Sequence, residues 1–305
     1  MCRSNRVPQH CTSAATLPLM TFSIVARGPA DPPGQQYGVA VASKFLAVGA
    51  AVPAARAEVG ALATQALANL RYRPDGLRLL REGGSAAQTV QTLTAADDDR
   101  VHRQVGAVGP AGPGASFTGV QCYPWAGGTG GETPDGDGYA VQGNILTGPD
   151  VVESMEAAFA ATSRDQPLAR RLLAALAAGD QAGGDRRGRQ SAALLVVCPG
   201  GGYGGGSDVL IDLRVDDHPD PVPELERLLD LHDLYFGRAD PAECAPLVGA
   251  LAEEVRTRLA SAGFTDPDLD TALSGWAGVE NLEERLVAGR IDPRVLEHLR
   301  ARSTR

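Results

Sequence analysis

The sequence predicts an α+β fold, a four-layer α/β/β/α sandwich followed by a small all-helical domain. Strand-like and helix-like patterns come in blocks over the first two thirds of the 305 residues, rather than in strict alternation. Blocks of this kind favour antiparallel sheets with helices stacked on their outer faces. The composition then shifts at 216–221, and the pattern beyond is amphipathic and helical. We therefore expect a sandwich domain over 21–221 and a helical domain over 222–305. The preceding 1–20 segment is expected to be a disordered extension or a start site assigned too early.

The strand pattern of the sandwich begins with a hairpin. Short β-type runs over Thr21–Arg27 and Tyr37–Ser43 flank a turn rich in Pro and Gly. Two more apolar runs of strand length follow over 45–52 and 59–66. Their near-continuous hydrophobicity indicates strands that are buried on both faces.

The later elements are predicted from the same two periodicities. Helical spacing predicts helices over 74–81 and 85–95, with Ser85 as the N-cap of the second. The rest of the sandwich then comprises strands over 102–108 and 114–119, a loop over 127–138, a strand over 139–142, helices over 151–162 and 167–178, and strands over 191–198 and 208–214. The helical domain comprises amphipathic stretches over 224–236, 241–262, 268–278 and 293–302.

Charge and cysteine content exclude several classes of function. A net charge of −9 argues against nucleic acid or an anionic membrane as the main partner. No apolar run approaches the roughly 20 residues that a membrane span needs. The five scattered cysteines include no Cys-x-x-Cys pair, which is typical of a reducing compartment and not of a structural zinc site. We therefore expect a cytoplasmic protein without metal or cofactor. Sheets of this kind often assemble, so a homo-oligomer is a further possibility.

Thr21 is the first candidate for chemistry, because it follows Met20 at the head of the first strand. If Thr21 becomes the first residue of the chain, it carries both a hydroxyl and a free α-amine. That amine has an ordinary pKa of about 7.7–8.0 and can act as general base for the hydroxyl. The alternative is that Met20 is simply the start and Thr21 an ordinary strand residue.

Lys44 is the second candidate. Of the 28 basic residues, 27 are Arg and Lys44 alone is Lys. A compact ammonium that can lose its proton is the property that Arg does not supply. The alternative is the chance survival of one surface lysine.

Amide side chains at strand ends form a third group of candidates. Gln65 and Asn69 lie where a strand gives way to a loop, and we assign them to substrate binding. Asn144 lies at the end of the predicted strand over 139–142, and its amide at that position can donate to an oxyanion. A residue of this type is equally suited to forming a turn.

The segment 183–191 forms a fourth group, at the start of a buried strand. It contains Asp185, Arg186 and Arg189, which together predict a fork that binds a substrate carboxylate. The alternative is a solvated, charged turn.

Five stretches resemble the domain of unknown function 1028 family: TFSIVAR at 21–27, the text at 37–51, ATQALAN at 63–69, YAVQGNIL at 139–146 and GGDRRGRQSAALLVV at 183–197. That family is similar to the N-terminal-nucleophile hydrolases, which share the α/β/β/α sandwich and cleave amide bonds with an N-terminal Thr, Ser or Cys. The resemblance implies Thr21 as the nucleophile and Lys44 as the group that tunes its amine. Chains of the family begin at the Met-Thr pair, so residues 1–19 depart from its pattern.

The tail beyond residue 276 resembles the peptidoglycan-binding helical domain that is often appended to this family. Together, these resemblances imply an amidohydrolase acting on a small-molecule or peptide amide, with a peptidoglycan fragment as a further partner. The alternative is a non-catalytic binding or scaffold protein on the same fold, which would engage peptidoglycan through the helical domain. A shared fold does not decide between the two.

Overall fold

The computed structural model describes residues 21–30 and 34–302. The chain forms two compact units, Met1–Leu225 and Glu226–Arg305. The predicted extension over 1–20 lies outside the described residues. The helix Pro221–Phe236 contains both the expected boundary at residue 221 and the observed division after Leu225.

The described residues of the first unit that precede Pro221 form ten strands and five helices. Its strands are β1 (Thr21–Arg27), β2 (Tyr37–Ser43), β3 (Pro53–Arg56), β4 (Gly60–Ala66), β5 (Arg103–Val108), β6 (Ala115–Thr118), β7 (Gly127–Glu132), β8 (Gly138–Gly143), β9 (Ser191–Val197) and β10 (Val209–Val215). Its helices are α1 (Val48–Ala51), α2 (Tyr72–Arg81), α3 (Ala86–Ala95), α4 (Asp150–Ala161) and α5 (Leu168–Gln181).

The strands form two antiparallel sheets. One has six strands in the order β10-β9-β2-β1-β8-β7, and the other has four in the order β3-β4-β5-β6. β1 is therefore a central strand, paired on one side with β2 and on the other with β8. Thr21 is in register with Ser43 at the end of this pairing.

Helices cover the outer face of each sheet, which gives the predicted four layers. α5 packs on β1, β2 and β9, and α4 packs on β8, whereas α2 and α3 pack on the four-stranded sheet. α5 lies close to both α4 and the sheet: a Cβ at Gly179 would lie 2.6 Å from the side chain of Met155 in α4 and 3.4 Å from that of Phe22 in β1. The α/β/β/α sandwich is confirmed.

The core between the two sheets is made of small and β-branched side chains. Val25, Val39 and Val41 from the six-stranded sheet pack with Ala61 and Val108 from the four-stranded sheet, and all five are fully buried. Alternation along β1 places Val25 in this layer and its neighbours on the helix side. By the same alternation, Thr21 and Ser23 share the intersheet face with Val25.

In the first unit, most of the predicted elements are confirmed, but two are wrong. The expected strand over 45–52 is instead a loop followed by the short helix α1, because Ala47 adopts a left-handed conformation (φ 53°) that turns the chain. The expected loop over 127–138 contains strand β7. Its glycines permit a close approach to β6, since a Cβ at Gly130 would lie 2.9 Å from the Cα of Ala115. Glycine-rich composition suggested a loop where the packing selects a strand.

The helix Pro221–Phe236 is α6, and the second unit continues with α7 (Gly249–Ser261), α8 (Leu269–Glu280) and α9 (Pro293–Arg302). Its core includes Val255, Leu259, Trp276 and Leu299. The helix expected to begin at 241 begins at 249 instead. The residues before it include strand β11 (Ala245–Pro246), which pairs with β12 (Arg290–Ile291).

Within the described residues, no helix is both long and apolar enough to span a membrane.

Candidate active site

Thr21 lies at the first position of the central strand β1, facing the space between the sheets. It is fully buried in the chain that still carries Met20, and its nitrogen is there an amide rather than a free amine. Its Oγ1 donates a hydrogen bond to the Ser43 Oγ at 3.2 Å. Strand pairing accounts for this contact, because Thr21 and Ser43 are directly opposite in the register of β1 and β2.

The main-chain carbonyl of Thr21 is held by two of the predicted site residues. It accepts hydrogen bonds from the backbone N–H of Asn144 at 3.0 Å and from Gln65 Nε2 at 3.1 Å. The Nδ2 of Asn144 lies 3.5 Å from the same oxygen and donates to Gln104 Oε1 at 3.0 Å. The structure thus brings Gln65 and Asn144 into contact with Thr21. Gln65 lies in β4 of the four-stranded sheet, whereas Asn144 directly follows β8 of the six-stranded sheet.

These contacts belong to a buried polar network, which we call the amide network, formed by Ser23, Gln65, Gln104, Gln142 and Asn144. Gln142 Nε2 donates to the Ser23 Oγ, and the Ser23 hydroxyl donates to Gln65 Oε1, both at 2.7 Å. Gln65 Nε2 also donates to Gln104 Oε1 at 2.8 Å, which links the network across β4 and β5. Buried amides need such partners, and the network supplies most of them, with Gln142 Oε1 left without a partner among the described residues. Its members are at most 1% exposed.

Sequence reasoning missed Ser23, Ser43 and Gln104, although one signal was available for the first two. Ser23 and Ser43 lie on opposite strands of the predicted hairpin, on the face that Thr21 shares. Placing the hairpin in register would have paired Ser43 with Thr21. Gln104 offered no comparable signal, because its contact with Asn144 depends on how two separate sheets stack.

A row of hydroxyl residues continues from Thr21 through Ser43 to Ser191, which are in register on three adjacent strands. The last member has a structural role in the loop after β2. The Ser191 hydroxyl donates to the carbonyl of Phe45 at 2.5 Å and accepts from the backbone N–H of Val48 at 3.1 Å. The row therefore connects Thr21 to the segment that follows Lys44.

Lys44 lies at the same edge of the sheet, but its ammonium points elsewhere. Lys44 Nζ donates to the carbonyl oxygen of Arg189 at 3.2 Å, and the side chain is exposed. Strand alternation explains this direction, because Ser43 faces Thr21 and the next residue faces the other side. In the described part of the chain, the hydrogen-bond partner of the ammonium is thus Arg189 rather than Thr21.

Of the three residues predicted to form the carboxylate fork, Asp185 and Arg189 have ion-pair partners and Arg186 has none among the described residues. Asp185 is buried and accepts from the backbone N–H of Lys44 at 2.9 Å and from the guanidinium of Arg187 at 2.7 Å. Arg189 pairs with Asp180 at 2.8 Å. The guanidinium of Arg186 has no hydrogen-bond or ion-pair partner among the described residues, and its backbone N–H donates to the carbonyl of Ile145 at 2.9 Å.

Asn69 is engaged in a cluster of its own. Its Nδ2 donates to Asp97 Oδ2 at 2.9 Å, an oxygen that also accepts from the Tyr72 hydroxyl at 2.9 Å and from Arg103 Nε at 3.0 Å. Burial alone would raise the pKa of Asp97, but these hydrogen bonds outweigh it and lower that pKa to about 2. The cluster holds the loop after β4, so the structure gives Asn69 a structural contact.

An open cleft of about 360 Å³ adjoins Thr21 at this end of the sheet. The cleft is lined by Phe22, which follows Thr21 in the chain, and by Ser43, which is the register partner of Thr21. The α5–β9 loop supplies the charged part of the lining, including Asp185, Arg186 and Arg189. Among the residues that the structure describes, no group of His, Cys, Asp and Glu side chains is arranged to hold a metal ion.

The sequence of the first unit matches a known protein family. A family model described as "Family of unknown function (DUF1028)" matches residues 21–225, which is about two thirds of the chain. The chain belongs to this family. A second model, described as "Putative peptidoglycan binding domain", matches residues 235–299. A search of the curated proteins found no match.

A solved relative has the same fold as the DUF1028 domain. The crystal structure of protein SPO2555 from Silicibacter pomeroyi, also a DUF1028 protein, is 30% identical to this chain, with a TM-score of 0.59. The match covers 77% of this chain and 93% of that one.

The DUF1028 domain thus places one hydroxyl nucleophile candidate, a set of amide donors and an open cleft at one end of the sandwich. A hydroxyl becomes a strong nucleophile when a base takes its proton. In the described residues, the Thr21 hydroxyl contacts the Ser43 hydroxyl and the Thr21 carbonyl contacts amide groups, and neither a hydroxyl nor an amide is a base at neutral pH. The base nearest to Thr21 Oγ1 would be its own nitrogen, once the bond to Met20 is absent.

Proposed function

We propose that the DUF1028 domain is an amidohydrolase whose nucleophile is Thr21, in a chain that begins at that residue. One observation carries the proposal: Thr21 starts the central strand with its Oγ1 on Ser43 and its carbonyl held by Gln65 and Asn144. Catalytic groups need fixed positions before the substrate arrives, and this arrangement supplies them.

The proposed reaction is amide hydrolysis in two steps. Thr21 Oγ1 attacks the carbonyl carbon of the substrate amide, and the α-amine of Thr21 takes the hydroxyl proton. The tetrahedral intermediate then collapses, the substrate amine leaves with a proton from the Thr21 ammonium, and an ester remains on Oγ1. Water, activated by the same amine, hydrolyses the ester and releases the acid.

The neighbouring residues divide the supporting roles. Ser43 holds the hydroxyl of Thr21, and Gln65 fixes its main chain through the carbonyl. The amide of Asn144, together with backbone N–H groups, would stabilise the oxyanion. Lys44 would lower the pKa of the α-amine by its positive charge. This role requires the Lys44 ammonium to leave the carbonyl of Arg189 and move next to Thr21.

Exposure of the nucleophile has two routes. If translation begins at Met20, removal of that Met before a small residue leaves Thr21 first in the chain. If the preceding residues are translated, the Met20–Thr21 bond must be hydrolysed. Both routes leave the same mature chain, so the routes are distinguished in the native host by mass-spectrometric detection of the uncleaved precursor or of the released peptide, which only the second route produces.

The test compares labelling of two chains by a Thr-directed β-lactone probe. One chain starts at Met20 and loses it, so that Thr21 carries a free amine; the other keeps an extra Ala between Met20 and Thr21. We expect a probe adduct on the first chain alone, measured as the mass gained by the intact protein. Equal labelling of both chains, or of neither, would contradict the proposal.

The second candidate function is binding of peptidoglycan through residues 235–299, because the second family model matches there. A cytoplasmic protein would meet soluble peptidoglycan fragments, whereas an exported one would meet the intact wall. Co-sedimentation of the full chain with insoluble peptidoglycan tests binding, with soluble muropeptides as competitors. Retention of the protein in the supernatant at every peptidoglycan concentration would rule this function out.

A further inference from the structure

The cleft beside Thr21 has an apolar floor and a charged wall. Phe22 and Ala42 contribute the apolar part, and both belong to the helix-facing side of the six-stranded sheet. Because Phe22 and Ser43 are the chain neighbour and the register partner of Thr21, the cleft ends within one residue of the proposed nucleophile. Thr21 itself is fully buried and faces the intersheet layer, so the cleft reaches the strand end that carries Thr21 but does not include its hydroxyl. A substrate whose carboxylate is held in the cleft would have to extend its amide over the end of β1 to reach Thr21.

The charges on the wall of this cleft are balanced, with one exception. Asp180 is paired with Arg189. Asp185 is paired with Arg187 and also accepts the backbone N–H of Lys44. Arg186 is exposed and, among the described residues, its guanidinium has no partner. Among the residues that line the cleft, the charge that remains available to a ligand is therefore one guanidinium.

We propose that Arg186 binds a carboxylate of the substrate, so that the hydrolysed amide belongs to an N-acyl amino acid or to the last peptide bond of a chain. The proposal rests on the proposed function of Thr21 for the identity of the reacting bond. A guanidinium binds a carboxylate through two parallel hydrogen bonds, which also orients the adjacent amide. The apolar floor accommodates the uncharged part of the substrate.

The balance of charge selects a monoanion over phosphate. Two carboxylates, Asp180 and Asp185, line the same cleft, and each is already matched by an arginine. A phosphate dianion would leave a net negative charge beside these carboxylates after pairing with Arg186 alone. A carboxylate is matched in charge by one guanidinium.

The test measures ligand binding without requiring any reaction. The chain with a free Thr21 amine is melted with hippurate, an N-benzoyl amino acid, with its uncharged carboxamide hippuramide, and with inorganic phosphate. A ligand that binds only the folded protein raises the melting temperature by an amount that increases with the logarithm of its affinity. We expect hippurate to bind at least about 10-fold more tightly than hippuramide, in line with a charge-assisted pair.

Arg186→Gln should abolish the preference for hippurate, whereas Arg81→Gln, at an exposed position of α2, should preserve it. Hippurate that stabilises the protein no better than hippuramide, or an Arg186→Gln variant that keeps the preference, would overturn the proposal. Phosphate binding as tight as that of hippurate would also overturn it. If hippurate binds through Arg186 but the β-lactone probe never labels Thr21, the carboxylate site stands and the proposed reaction fails.

Discussion

The layer between the two sheets has two halves of opposite character. In one half, Val25, Val39, Val41, Ala61 and Val108 make an apolar core. In the other, the amide network and Thr21 fill the same layer with hydroxyls and amides. Both halves are almost wholly removed from solvent, so burial alone does not explain the difference.

The chain retains groups that are costly to bury in the half that surrounds Thr21. A buried amide that loses its partners costs about 1–3 kcal/mol, whereas Val or Ala in the same layer needs no partner. The polar half is organised around the main chain of Thr21, whose carbonyl accepts from Gln65 and from the backbone N–H of Asn144. Among the described residues, Gln142 Oε1 is left without a partner. An arrangement selected only for stability would resemble the apolar half.

Replacement of the nucleophile should have the largest effect. Thr21→Ala should reduce amide hydrolysis and β-lactone labelling by about 1,000-fold or more, because the attacking oxygen is removed. The fold should survive, since the hydroxyl makes one hydrogen bond, and the melting temperature should fall by only ~2–4 °C. Thr21→Ser is the matched control and should retain measurable labelling. A Thr21→Ala variant that hydrolyses amides at the original rate would transfer the chemistry to another residue.

Disruption of the amide network should have the next largest effect. Gln65→Ala removes the acceptor of the Ser23 hydroxyl and a donor to Thr21 and Gln104. We expect a loss of about 3 kcal/mol in the free energy of unfolding, measured by urea denaturation. Gln91→Ala, at an exposed position of α3, should change it by less than about 0.5 kcal/mol. Equal stability of the two variants would show that the network does not support the fold.

The Asp97 cluster offers a polar group outside the intersheet layer. Because its folded pKa is lowered to about 2, Asp97 stabilises the protein above its unfolded pKa and loses that contribution as the pH falls towards 2. Asp97→Asn should therefore cost about 2 kcal/mol at pH 7, and the gap to the unmodified protein should close near pH 2. Asp98→Asn is the exposed neighbour and serves as the control. A gap that is independent of pH would contradict the assigned ion pairing.

Replacement of Ser43 should have the smallest of these effects. Ser43→Ala removes the oxygen that holds Thr21 Oγ1, and we expect about a 10-fold slower β-lactone labelling with the fold intact. Ser191→Ala, one strand further along the row, removes hydrogen bonds to Phe45 and Val48 instead. It should lower the melting temperature without changing the labelling rate. Identical labelling rates in the two variants would show that Ser43 has no role in the reaction.

Much of the fold was predictable because it depends on local periodicity. The hairpin of β1 and β2, the capped helix after Ser85 and the α4–α5 pair are each specified within a short stretch. Strand β7 could not be predicted, because its glycines are selected by contact with β6, which packs there only once both sheets have formed. The short helix α1 depends similarly on the left-handed turn at Ala47.

The candidate site was predictable in part for the same reason. Thr21 and Asn144 stand out at strand ends, and the register of adjacent strands brings them together. The hydrogen-bond partner of Lys44 and the pairing of Asp185 with Arg187 depend on the loop after α5, whose position the sequence pattern does not specify. Sequence reasoning placed Arg186 and Arg189 together, whereas the structure pairs only Arg189 with an acid.

The central claim is that Thr21 reacts when its amine is free. The most direct test is tandem mass spectrometry of the β-lactone adduct on a chain that begins at Thr21. We predict an acyl ester on Thr21 Oγ1 and none on the remaining hydroxyl residues of the row, Ser43 and Ser191. An adduct on another residue, or a chain with a verified free Thr21 that stays unlabelled, would contradict the account.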